Sequence, residues 1–424
     1  MASVDVPVAL LGYGTVGSAV DRLLEAQAAD IERATGHRLR VVKALVRDLA
    51  KPRGRDGLRL TGDFAEIRDD PQIAVIAEVM GGLEPTGEYV LDLLRAGKPV
   101  VSANKQLIAR RGAELFSAAA AGGVQLRFEA SVCAAIPVIK VLRESLVVSN
   151  VHRVLGIVNG TTNFVLTEME AGASYEDALA DAQRRGFAEA DPTEDVSGAD
   201  AAAKMSILAT VAFGSRVTLD DVVYEGIDRV TAEDLAAARE FDLVLRLVGA
   251  ASLVDGKVDV RVHPVLVDRH HPLAAVEGAF NAVTIEGDAI RQITLEGPGA
   301  GGTETASAVV ADMVSVVGTT GTGFLQNDAC WRELERLPEG EIVSPFFVRV
   351  EVADRPGVLA LVALRLAAQG VSIARLVQHQ TDGNATLHIV THEAQSGRVA
   401  AALEEIDALQ EVRSAPRALR VIVA

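Results

Sequence analysis

The amino-acid sequence predicts an α/β protein: a Rossmann-type doubly wound parallel sheet, then an α+β domain, then a ferredoxin-like C-terminal domain. Three observations favour this fold class. The first third of the chain alternates short β-rich apolar runs with longer helical patterns, as βαβ units require. The glycine-rich turn GYGTVG separates the first apolar run from the first helical pattern. Residues from about 345 onward follow the order strand, helix, strand, strand, helix, strand.

Strands in the first third are predicted at 6–12, 40–47, 74–80, 99–104 and 124–130. Helical patterns lie between them, near 15–35, 85–97 and 106–121. Because crossovers between parallel strands are right-handed, such helices cover both faces of one sheet. The first third is therefore predicted to form a single open sheet with helices on each side.

The pattern changes after about residue 150. A strand-like VLGIVN precedes several predicted helices through 163–249, and β-rich segments follow at 257–267, 281–286 and 292–296. GPGAGG, at 297–302, leads into TASAVVADMVSVVG, whose spacing of Ala, Val and Met predicts a helix of about four turns.

These patterns divide the chain into predicted domains. The polar stretch RLPEGEIVSP, at 336–345, is typical of a linker. We predict a dinucleotide-binding domain at 1–148, a substrate and dimerisation domain at 149–299, a linker at 323–344 and a C-terminal domain at 345–424. The helical segment within 300–322 is predicted to return to the first domain or to the dimer region.

Composition and charge exclude several classes of protein. With 49% hydrophobic and 23% charged residues among 424, the chain has the composition of a folded globular protein. Its net charge of −17, without a cluster of Lys and Arg, excludes a nucleic-acid partner. No run of ~20 apolar residues and no signal-peptide pattern occurs, so we predict a cytoplasmic protein with no membrane partner.

Cysteine and histidine suggest neither a disulfide framework nor a zinc site. Two cysteines, Cys133 and Cys330, are too few for either, and neither is assigned a role. His263, His270 and His271 are close in sequence, yet nothing near them completes a set of zinc ligands. We predict a surface or hydrogen-bonding role for these three histidines.

The turn after the first strand fits the pattern G-x-G-x-x-G at Gly12, Gly14 and Gly17. The first glycine permits the tight turn, the second lets the backbone approach a pyrophosphate, and the third lets helix and strand pack closely. The helix amino terminus supplies free amides and a partial positive charge. A turn without a ligand is the alternative, but the strand before it and the helix after it favour dinucleotide binding. The predicted cofactor contacts are Gly12, Tyr13, Gly14, Thr15, Val16 and Gly17.

The end of the second predicted strand bears on which dinucleotide is bound. An acidic residue here takes the ribose hydroxyls of NAD, but this strand ends VRDLAKPR, with Arg47, Lys51 and Arg53. Cations at this point favour a 2′-phosphate, so we predict NADP(H) in preference to NAD(H). The carboxylate of Asp48 could still bind the ribose hydroxyls of NAD(H). The alternative is that these cations are solvated surface charges without a ligand.

A segment rich in carboxylates, from Ala182 to Lys204, ends in a lysine on an Ala-rich helix. Asp200 and Lys204 are four residues apart and share one helical face, which could also be an exposed ion pair. The preceding loop brings further carboxylates close together, at a cost in like-charge repulsion unless a cation binds. The ammonium group of an amino acid is such a cation.

The pattern A-x3-G-F-A-x2-D-P-x2-D-V-x-G-x-D-x3-K, matched without a gap from Ala182 to Lys204, resembles the signature of the homoserine dehydrogenase family. The resemblance extends from about residue 6 to 320. Five other stretches share it: AEVMGGLEP at 77–85, VSANKQLIA at 101–109, FEASVCAAIPVI at 128–139, VNGTTNFVL at 158–166 and GPGAGGTETASAV at 297–309.

The resemblance implies NAD(P)-dependent interconversion of L-homoserine and L-aspartate 4-semialdehyde, in threonine and methionine biosynthesis. It makes Lys204 the proton donor to the aldehyde oxygen, with Asp200 orienting both this lysine and the substrate hydroxyl. It puts Lys105 between nicotinamide and substrate as a second acid/base or an electrostatic clamp. A lysine suits this role because it acts as an acid and stabilises developing negative charge. Glu189 and Asp195 would hold the substrate amino group. Further implied contacts are Asn159, Gly160 and Thr161 to the substrate, and Ser102, Ala103, Asn104, Lys105, Gly186, Glu189 and Gly302 to the cofactor.

The resemblance also implies a monovalent cation site, for Na⁺ or K⁺. It comprises the Glu129 carboxylate and the backbone carbonyls of Val132, Ala134 and Ile136, which are hard oxygen ligands. The alternative is that Glu129 only caps a helix or forms a local salt bridge.

VADRPGVLALVALRLAAQGVSI, at 352–373, resembles an ACT domain. In that family the turn after the first strand, here 354–358, and the start of the first helix form an amino-acid pocket between paired domains. The implied effector is L-threonine, as an end-product inhibitor, and a purely structural dimerisation module is the alternative.

The sequence thus favours a threonine-regulated enzyme assembled as a homodimer or homotetramer. Two other functions stay open: a dehydrogenase of another amino-acid semialdehyde, and a catalytically silent amino-acid sensor. The presence of both Lys105 and Lys204 argues against the sensor.

Overall fold

In the computed structural model, residues 4–51, 57–318, 334–381 and 383–422 are described. Arg53 and Cys330 lie outside these ranges, as does the first half of the predicted linker, 323–333. The first sheet has six parallel strands in the order β3-β2-β1-β4-β5-β6, which is the doubly wound order of a dinucleotide-binding fold. The strands are β1 (Val4–Leu11), β2 (His37–Leu45), β3 (Arg59–Thr61), β4 (Val75–Glu78), β5 (Val100–Ser102) and β6 (Leu126–Arg127).

Helices of this domain are α1 (Thr15–Ala26), α2 (Ala28–Thr35), α3 (Ala65–Arg68), α4 (Thr86–Arg95) and α5 (Lys105–Gly122). The continuous helix predicted at 15–35 is two helices, which meet at Gln27. Asn104 begins α5 by accepting a hydrogen bond from the Leu107 amide, and Gly123, at φ 64°, ends it in the left-handed conformation. β3, a three-residue strand at the edge of the sheet, is not among the predicted strands.

A mixed sheet forms the centre of the molecule. A 3-10 turn at Glu129–Ser131 and a π turn at Val141–Ser145 precede this sheet in the chain. The first part of the sheet contains the strands β7 (Val151–Ile157), β8 (Val223–Tyr224), β9 (Leu243–Val254), β10 (Lys257–Asp268), β11 (Phe280–Gly287) and β12 (Arg291–Pro298). Its helices are α6 (Val138–Lys140), α7 (Gly160–Glu170), α8 (Tyr175–Arg185), α9 (Thr193–Val196), α10 (Ala199–Phe213) and α11 (Ala232–Glu240). Further 3-10 turns lie at Leu219–Asp221 and Pro272–Ala275.

The prediction of helices through 163–249 is wrong at its end, because residues 243–249 belong to β9. This strand pairs with β7 on one side and β10 on the other, and it is buried on both faces over most of its length. A strand buried on both faces shows no polar alternation, so a short apolar run cannot be distinguished from a buried helix by its pattern. The β-rich segments predicted around 257–267, 281–286 and 292–296 are confirmed as β10, β11 and β12.

Helix α12 (Gly302–Gly318) packs against α1 and the strands of the first sheet. Its Ala306, Val309 and Met313 share a buried core with Val8 and Leu10 of β1. The chain therefore returns from the central sheet to the first sheet, and α12 packs on the first sheet.

The C-terminal part has the predicted ferredoxin-like order. Its elements are β13 (Glu335–Arg336), a 3-10 turn at Glu339–Glu341, β14 (Val343–Ser344), β15 (Phe346–Ala353), α13 (Val358–Ala368), β16 (Ile373–Thr381), β17 (Asn384–Thr391), β18 (Ala394–Gln395), α14 (Ser396–Asp407) and β19 (Arg417–Ile422). The strand order β19-β15-β17-β16 is antiparallel throughout. β19 also pairs in parallel with β10, so this sheet continues the central one.

The two faces of the C-terminal sheet are buried differently. One face packs on α13 and α14 through a core that includes Val350, Val362 and Ala402. The other face meets the central domain, where Phe347 of β15 lies 6.0 Å from Phe241, between ring centroids. Among the described helices, none is long and apolar enough to cross a membrane.

Candidate active site

Lys105, Asp200 and Lys204 meet where the two sheets adjoin. Lys105 is the first residue of α5, just after β5, and the other two residues lie in the first turns of α10. The Asp200 carboxylate accepts from both lysines, with Oδ1 2.6 Å from the Lys105 Nζ and Oδ2 2.8 Å from the Lys204 Nζ. Asp200 is only 2% exposed, so the predicted pair on α10 is a buried group of three charges rather than a surface ion pair.

The charges of this group stabilise one another. Burial alone would raise the pKa of the Asp200 carboxyl, but the ammonium groups of Lys204 and Lys105 outweigh it and hold that pKa well below its usual range. Burial would lower the pKa of Lys204, whereas the Asp200 carboxylate raises it, and the result lies above the usual lysine value. Within this group of three, two cations therefore share one carboxylate.

Asn159 connects this group to the loop that carries Asp195. Its side-chain Nδ2 donates to Asp195 Oδ1 at 2.7 Å and to Asp200 Oδ2 at 2.8 Å. Its Oδ1 accepts from the Thr162 amide and so caps α7. Thr161 donates to Asp195 Oδ2, at 3.2 Å, and to the Phe187 carbonyl, at 2.6 Å. Burial raises the pKa of Asp195.

Lys204 has a further partner in the backbone, because its Nζ donates to the Val158 carbonyl at 2.7 Å. With the Asp200 bond, two of its three N–H groups are used within the described part of the chain, and one remains for a ligand. Gly160 adjoins this carbonyl, and a Cβ there would meet the Ala279 carbonyl oxygen. The backbone beside Lys204 is therefore tightly packed.

Glu189 stands apart from this network in the structure. It is exposed, on the loop that follows Gly186, and its backbone carbonyl accepts from the Gln183 side chain at 3.2 Å. Gly186 ends α8 at φ 78°, with open space where a side chain would lie. The loop is nevertheless held near the site by the bond from Thr161 to the Phe187 carbonyl.

The glycine turn has the geometry that the sequence predicts. Gly12 has φ 99°, and a Cβ there would lie 2.9 Å from the Val79 carbonyl oxygen. A Cβ at Gly17 would collide with the Gly12 carbonyl, so this glycine lets α1 pack on the turn. A Cβ at Gly14 would meet nothing within 4 Å, which leaves room for a ligand against the backbone.

Helix α1 begins at Thr15 without a side-chain cap, and no acidic residue lies in its first turn. Uncapped first-turn amides and the helix dipole favour an anion such as a phosphate. Gly302, at the start of α12, lies so close to Thr15 that a Cβ would be 2.9 Å from its methyl group. The Tyr13 hydroxyl donates to the Asp21 side chain of α1 at 2.7 Å. Val16 packs at the edge of the core that α12 shares with β1.

Arg47 lies beside this turn on the surface. The Gly12 amide donates to the Leu45 carbonyl at 3.0 Å, which joins the end of β2 to the glycine turn. Arg47 follows two residues later and is exposed, as are Asp48 and Lys51. The region thus offers cations, and the Asp48 carboxylate already accepts from the Ala50 amide at 2.9 Å.

Sequence reasoning missed a buried carboxylate at the end of β4. Glu78 is fully buried, accepts from Ser102 at 2.6 Å, and accepts from the Met80 and Gly81 amides at 3.0 Å. Burial raises its pKa. Asn104 donates to the Gly82 carbonyl at 2.7 Å. Together these bonds order 102–105, the segment of predicted cofactor contacts that includes Ala103.

The predicted cation site lies in the turn before α6. Both Glu129 carboxylate oxygens accept amides of the next helix, from Ile139 at 2.7 Å and from Lys140 at 2.9 Å. Burial, with a contribution from the nearby Asp312 carboxylate, raises the pKa of Glu129 to about 7. Asp312 lies on α12, is itself buried, and accepts from the Glu129 amide. No sequence pattern linked these two carboxylates, which are 183 residues apart.

The carbonyls of this turn differ in their partners. The Ile136 carbonyl accepts from the Val138 amide at 2.8 Å. Val132 and Ala134 are buried, and within the described ranges no hydrogen bond to either carbonyl oxygen is present. Ala134 has φ 41°, an uncommon conformation for a residue with a side chain. Buried carbonyls without donors are costly, so this turn has the chemistry to accept a cation.

Comparison with known proteins identifies related sequences and folds. The models of the homoserine dehydrogenase NAD-binding domain, of homoserine dehydrogenase and of the ACT domain match residues 12–129, 137–314 and 346–411. A homoserine dehydrogenase of Corynebacterium glutamicum is 40% identical, over 98% of this chain and 95% of that protein. The structure resembles the crystal structure of a homoserine dehydrogenase from Thiobacillus denitrificans, with a TM-score of 0.94 and 38% identity over 100% of both chains. It also resembles a hyperthermophilic archaeal homoserine dehydrogenase in complex with NADPH, with a TM-score of 0.63 and 29% identity over 74% of this chain and 97% of that one.

Proposed function

Because the chain belongs to the homoserine dehydrogenase family and acts as a homoserine dehydrogenase, we propose that Lys105, Asp200 and Lys204 perform the acid–base chemistry of that reaction. The buried Asp200 carboxylate, shared by two lysines, is the observation that carries this assignment. The reaction interconverts L-homoserine and L-aspartate 4-semialdehyde. When bound, the nicotinamide cofactor supplies or accepts the hydride.

In the reductive direction Lys204 donates a proton to the aldehyde oxygen as that oxygen gains negative charge. The raised pKa of Lys204 keeps it protonated for this step. Asp200 orients the ammonium, and Lys105 adds positive charge on the side of β5, where doubly wound sheets bind their ligands. In the oxidative direction Lys204 must be neutral to accept the hydroxyl proton, so oxidation is favoured at alkaline pH.

The substrate amino group binds at the carboxylates beside this site. Asp195, held by Asn159 and Thr161, already lies within the network, and an ammonium would offset the burial that raises its pKa. Glu189, exposed on the adjoining loop, is the second carboxylate proposed to meet the ammonium.

NADP(H) is the proposed cofactor, with NAD(H) as the weaker one. The glycine turn and the uncapped start of α1 fit a pyrophosphate, since Gly14 leaves open space beside free amides. Arg47 supports the 2′-phosphate, because it is an exposed cation just after the strand that joins this turn.

A monovalent cation, Na⁺ or K⁺, would be held by the Glu129 carboxylate and the carbonyls of Val132, Ala134 and Ile136. The buried carbonyls of Val132 and Ala134, which accept no hydrogen bond from any described residue, support it. The cation would order the turn between β6 and α6 and take no part in proton transfer.

L-Threonine is the proposed effector at the C-terminal ACT domain. A cavity of about 400 Å³ is lined by the turn after β15, including Asp354, Arg355 and Gly357, and by Gln378 of β16. The opposite charges of Asp354 and Arg355 suit a free amino acid, whose ammonium and carboxylate carry both signs.

A homodimer or homotetramer is the proposed assembly. β12 lies at one edge of the central sheet and has a partly exposed face, so it can pair with a second chain. The domain boundaries at 148, 299 and 345 are proposed from the changes of sequence pattern at these points. A cytoplasmic location is also proposed.

A substrate and cofactor panel tests this function. We expect oxidation of NADPH, and more slowly of NADH, with L-aspartate 4-semialdehyde, and at least about tenfold lower kcat/KM with the semialdehyde one methylene longer. Equal rates with both semialdehydes would favour another amino-acid semialdehyde as substrate. Binding of both ligands without turnover would instead favour the silent sensor.

A further inference from the structure

Three side chains that are far apart in sequence meet between the central domain and the C-terminal sheet. Glu240 is the last residue of α11, His379 lies on β16 and His388 lies on β17. Glu240 Oε2 is 2.8 Å from His379 Nε2 and 3.1 Å from His388 Nδ1. One nitrogen of each ring and one carboxylate oxygen all lie within 4.8 Å of one another.

The surroundings of this cluster are fixed by packing. His388 is nearly buried, and its ring centroid is 5.6 Å from that of Phe347, which packs in turn on Phe241 beside Glu240. Arg349 of β15 lies 3.5 Å from Asp234 of α11, so an ion pair joins the same two elements nearby. The backbone segments that carry the three ligands are therefore held in place without a metal.

The chemistry of the cluster matches a zinc site. Two imidazoles and a carboxylate are a ligand set of Zn²⁺, and water completes the tetrahedron when the fourth position is open. The side chains of His379 and Glu240 are 44% and 34% exposed, so solvent reaches the cluster from one side. In neutral imidazole the ring proton can reside on the other nitrogen, which frees His379 Nε2 and His388 Nδ1 for a metal.

The distances require only small adjustments. Zinc bonds of about 2.0–2.1 Å place tetrahedral ligand atoms roughly 3.4 Å apart. The two carboxylate contacts, at 2.8 and 3.1 Å, are slightly shorter than this. The two ring nitrogens lie within 4.8 Å of each other, so a metal requires the exposed Glu240 and His379 side chains to adjust toward the more deeply buried His388.

We propose that Glu240, His379 and His388 form a Zn²⁺ site that ties α11 of the central domain to the C-terminal sheet. Sequence spacing does not reveal it, because the ligands come from separate elements, 139 and 148 residues from Glu240.

The position of the site gives the metal a structural consequence. Gln378 and Leu387, the neighbours of the two histidines, line the cavity on the other face of the same strands. A bound metal would thus fix the register of β16 and β17 against α11 and hold one wall of that cavity.

Zinc titration of the full-length, tag-free chain tests the site, with the protein first stripped by a chelator and a chromophoric chelator as competitor. We expect one Zn²⁺ per chain for the parent and for His392→Gln, an exposed histidine of the same domain that serves as the matched control. His379→Gln and Glu240→Gln should bind at least about tenfold more weakly. Unchanged dehydrogenase activity without zinc shows that these variants are folded.

Cobalt provides a second measurement on the same proteins. Stoichiometric Co²⁺ should give the intense visible bands of a four-coordinate site in the parent and in His392→Gln, and these bands should be lost in His379→Gln. The proposal is overturned if the parent binds no stoichiometric zinc, or if His379→Gln and Glu240→Gln bind it as tightly as the control. In that case the three side chains form a hydrogen-bonded contact only.

Discussion

Asp200 is the residue on which both lysines of the active site depend. It is buried, it contacts Lys105 and Lys204 at 2.6 and 2.8 Å, and its carboxylate raises the pKa of Lys204 against the effect of burial. Without the carboxylate, two ammonium groups would lie close together in a water-poor site. The charge of Asp200 therefore favours the protonated form of Lys204, the proposed proton donor, and fixes its position.

We predict that Asp200→Asn lowers the rate of semialdehyde reduction by about 100-fold or more, since it removes electrostatic support from the donor. The pKa of Lys204 should also fall, because burial then acts without its counter-ion. The alkaline limb of the reduction rate, on which Lys204 loses its proton, should move to lower pH. Rate profiles from pH 6 to 11 for the parent, Asp200→Asn and the charge-retaining Asp200→Glu provide the measurement. An alkaline limb at the parent's position in Asp200→Asn would contradict this account.

How far these residues could be foreseen depends on their separation in sequence. Asp200 and Lys204 share a helical face, so their pairing follows from their spacing. Lys105 joins them because α5 and α10 pack together in the folded chain; the pattern placed it at the end of a strand, and its role was implied by the resemblance. Glu78 and Asp312 were missed, since a single carboxylate in an apolar run gives no signal until its partners are known.

At the scale of elements, the glycine turn and α1 form the cofactor end of the first sheet. The three glycines of this turn have different surroundings, so a substitution that affects stability can be distinguished from one that affects cofactor binding. Gly17 is needed by the fold, because a Cβ would strike the Gly12 carbonyl, whereas a Cβ at Gly14 would meet nothing. The turn and packing roles predicted for Gly12 and Gly17 agree with these surroundings, whereas the approach of a pyrophosphate to Gly14 stays a prediction.

Gly14→Ala should leave the free energy of unfolding within about 1 kcal/mol of the parent, but raise the KM for NADPH about tenfold or more, because the methyl group occupies space left for the pyrophosphate. Gly17→Ala should instead destabilise the protein by about 1–3 kcal/mol through overpacking. Thermal or urea unfolding and cofactor kinetics for both variants measure the two effects. Loss of stability in Gly14→Ala with an unchanged KM would refute the assignment.

The elements predicted well are those with a regular pattern and clear boundaries. The strands and helices of the first sheet and of the C-terminal domain alternate with turns, and their order was predicted from the chain. β9 was misassigned because tertiary pairing on both edges, rather than local pattern, makes residues 243–249 a strand. β3 is too short and too exposed to leave a pattern.

At the scale of the whole molecule, one sheet runs from the substrate side of the central domain into the ACT domain. β10 pairs with β19, so the C-terminal strands are hydrogen-bonded to the domain that carries the active site. An effector can change the activity only through a difference in affinity between two states of the enzyme. The continuous sheet connects the ACT domain physically to the central domain, so a change of state in one can reach the other. Sequence patterns did not predict it, because strand pairing between domains depends on how they dock.

L-Threonine should inhibit the parent enzyme, and Asp354→Ala should raise the half-inhibitory concentration at least about tenfold, since the variant lacks the carboxylate that meets the effector's ammonium. Glu393→Ala, which removes an exposed carboxylate of the same domain, is the control. Initial rates across a threonine series measure the effect. Equal inhibition of both variants would show that threonine binds elsewhere, and absence of inhibition in the parent would leave the domain with a structural role.

The central claim is that Lys204 transfers the proton, and a comparison of lysine variants by NADPH oxidation tests it most directly. Oxidation of NADPH by L-aspartate 4-semialdehyde should be rapid for the parent and for Lys257→Ala, whose lysine lies in β10 and pairs with Glu335 at 3.7 Å. The account predicts that Lys204→Ala lowers kcat by about 10²- to 10⁴-fold while NADPH still binds. A Lys204→Ala enzyme that turns over at the parent's rate would contradict it.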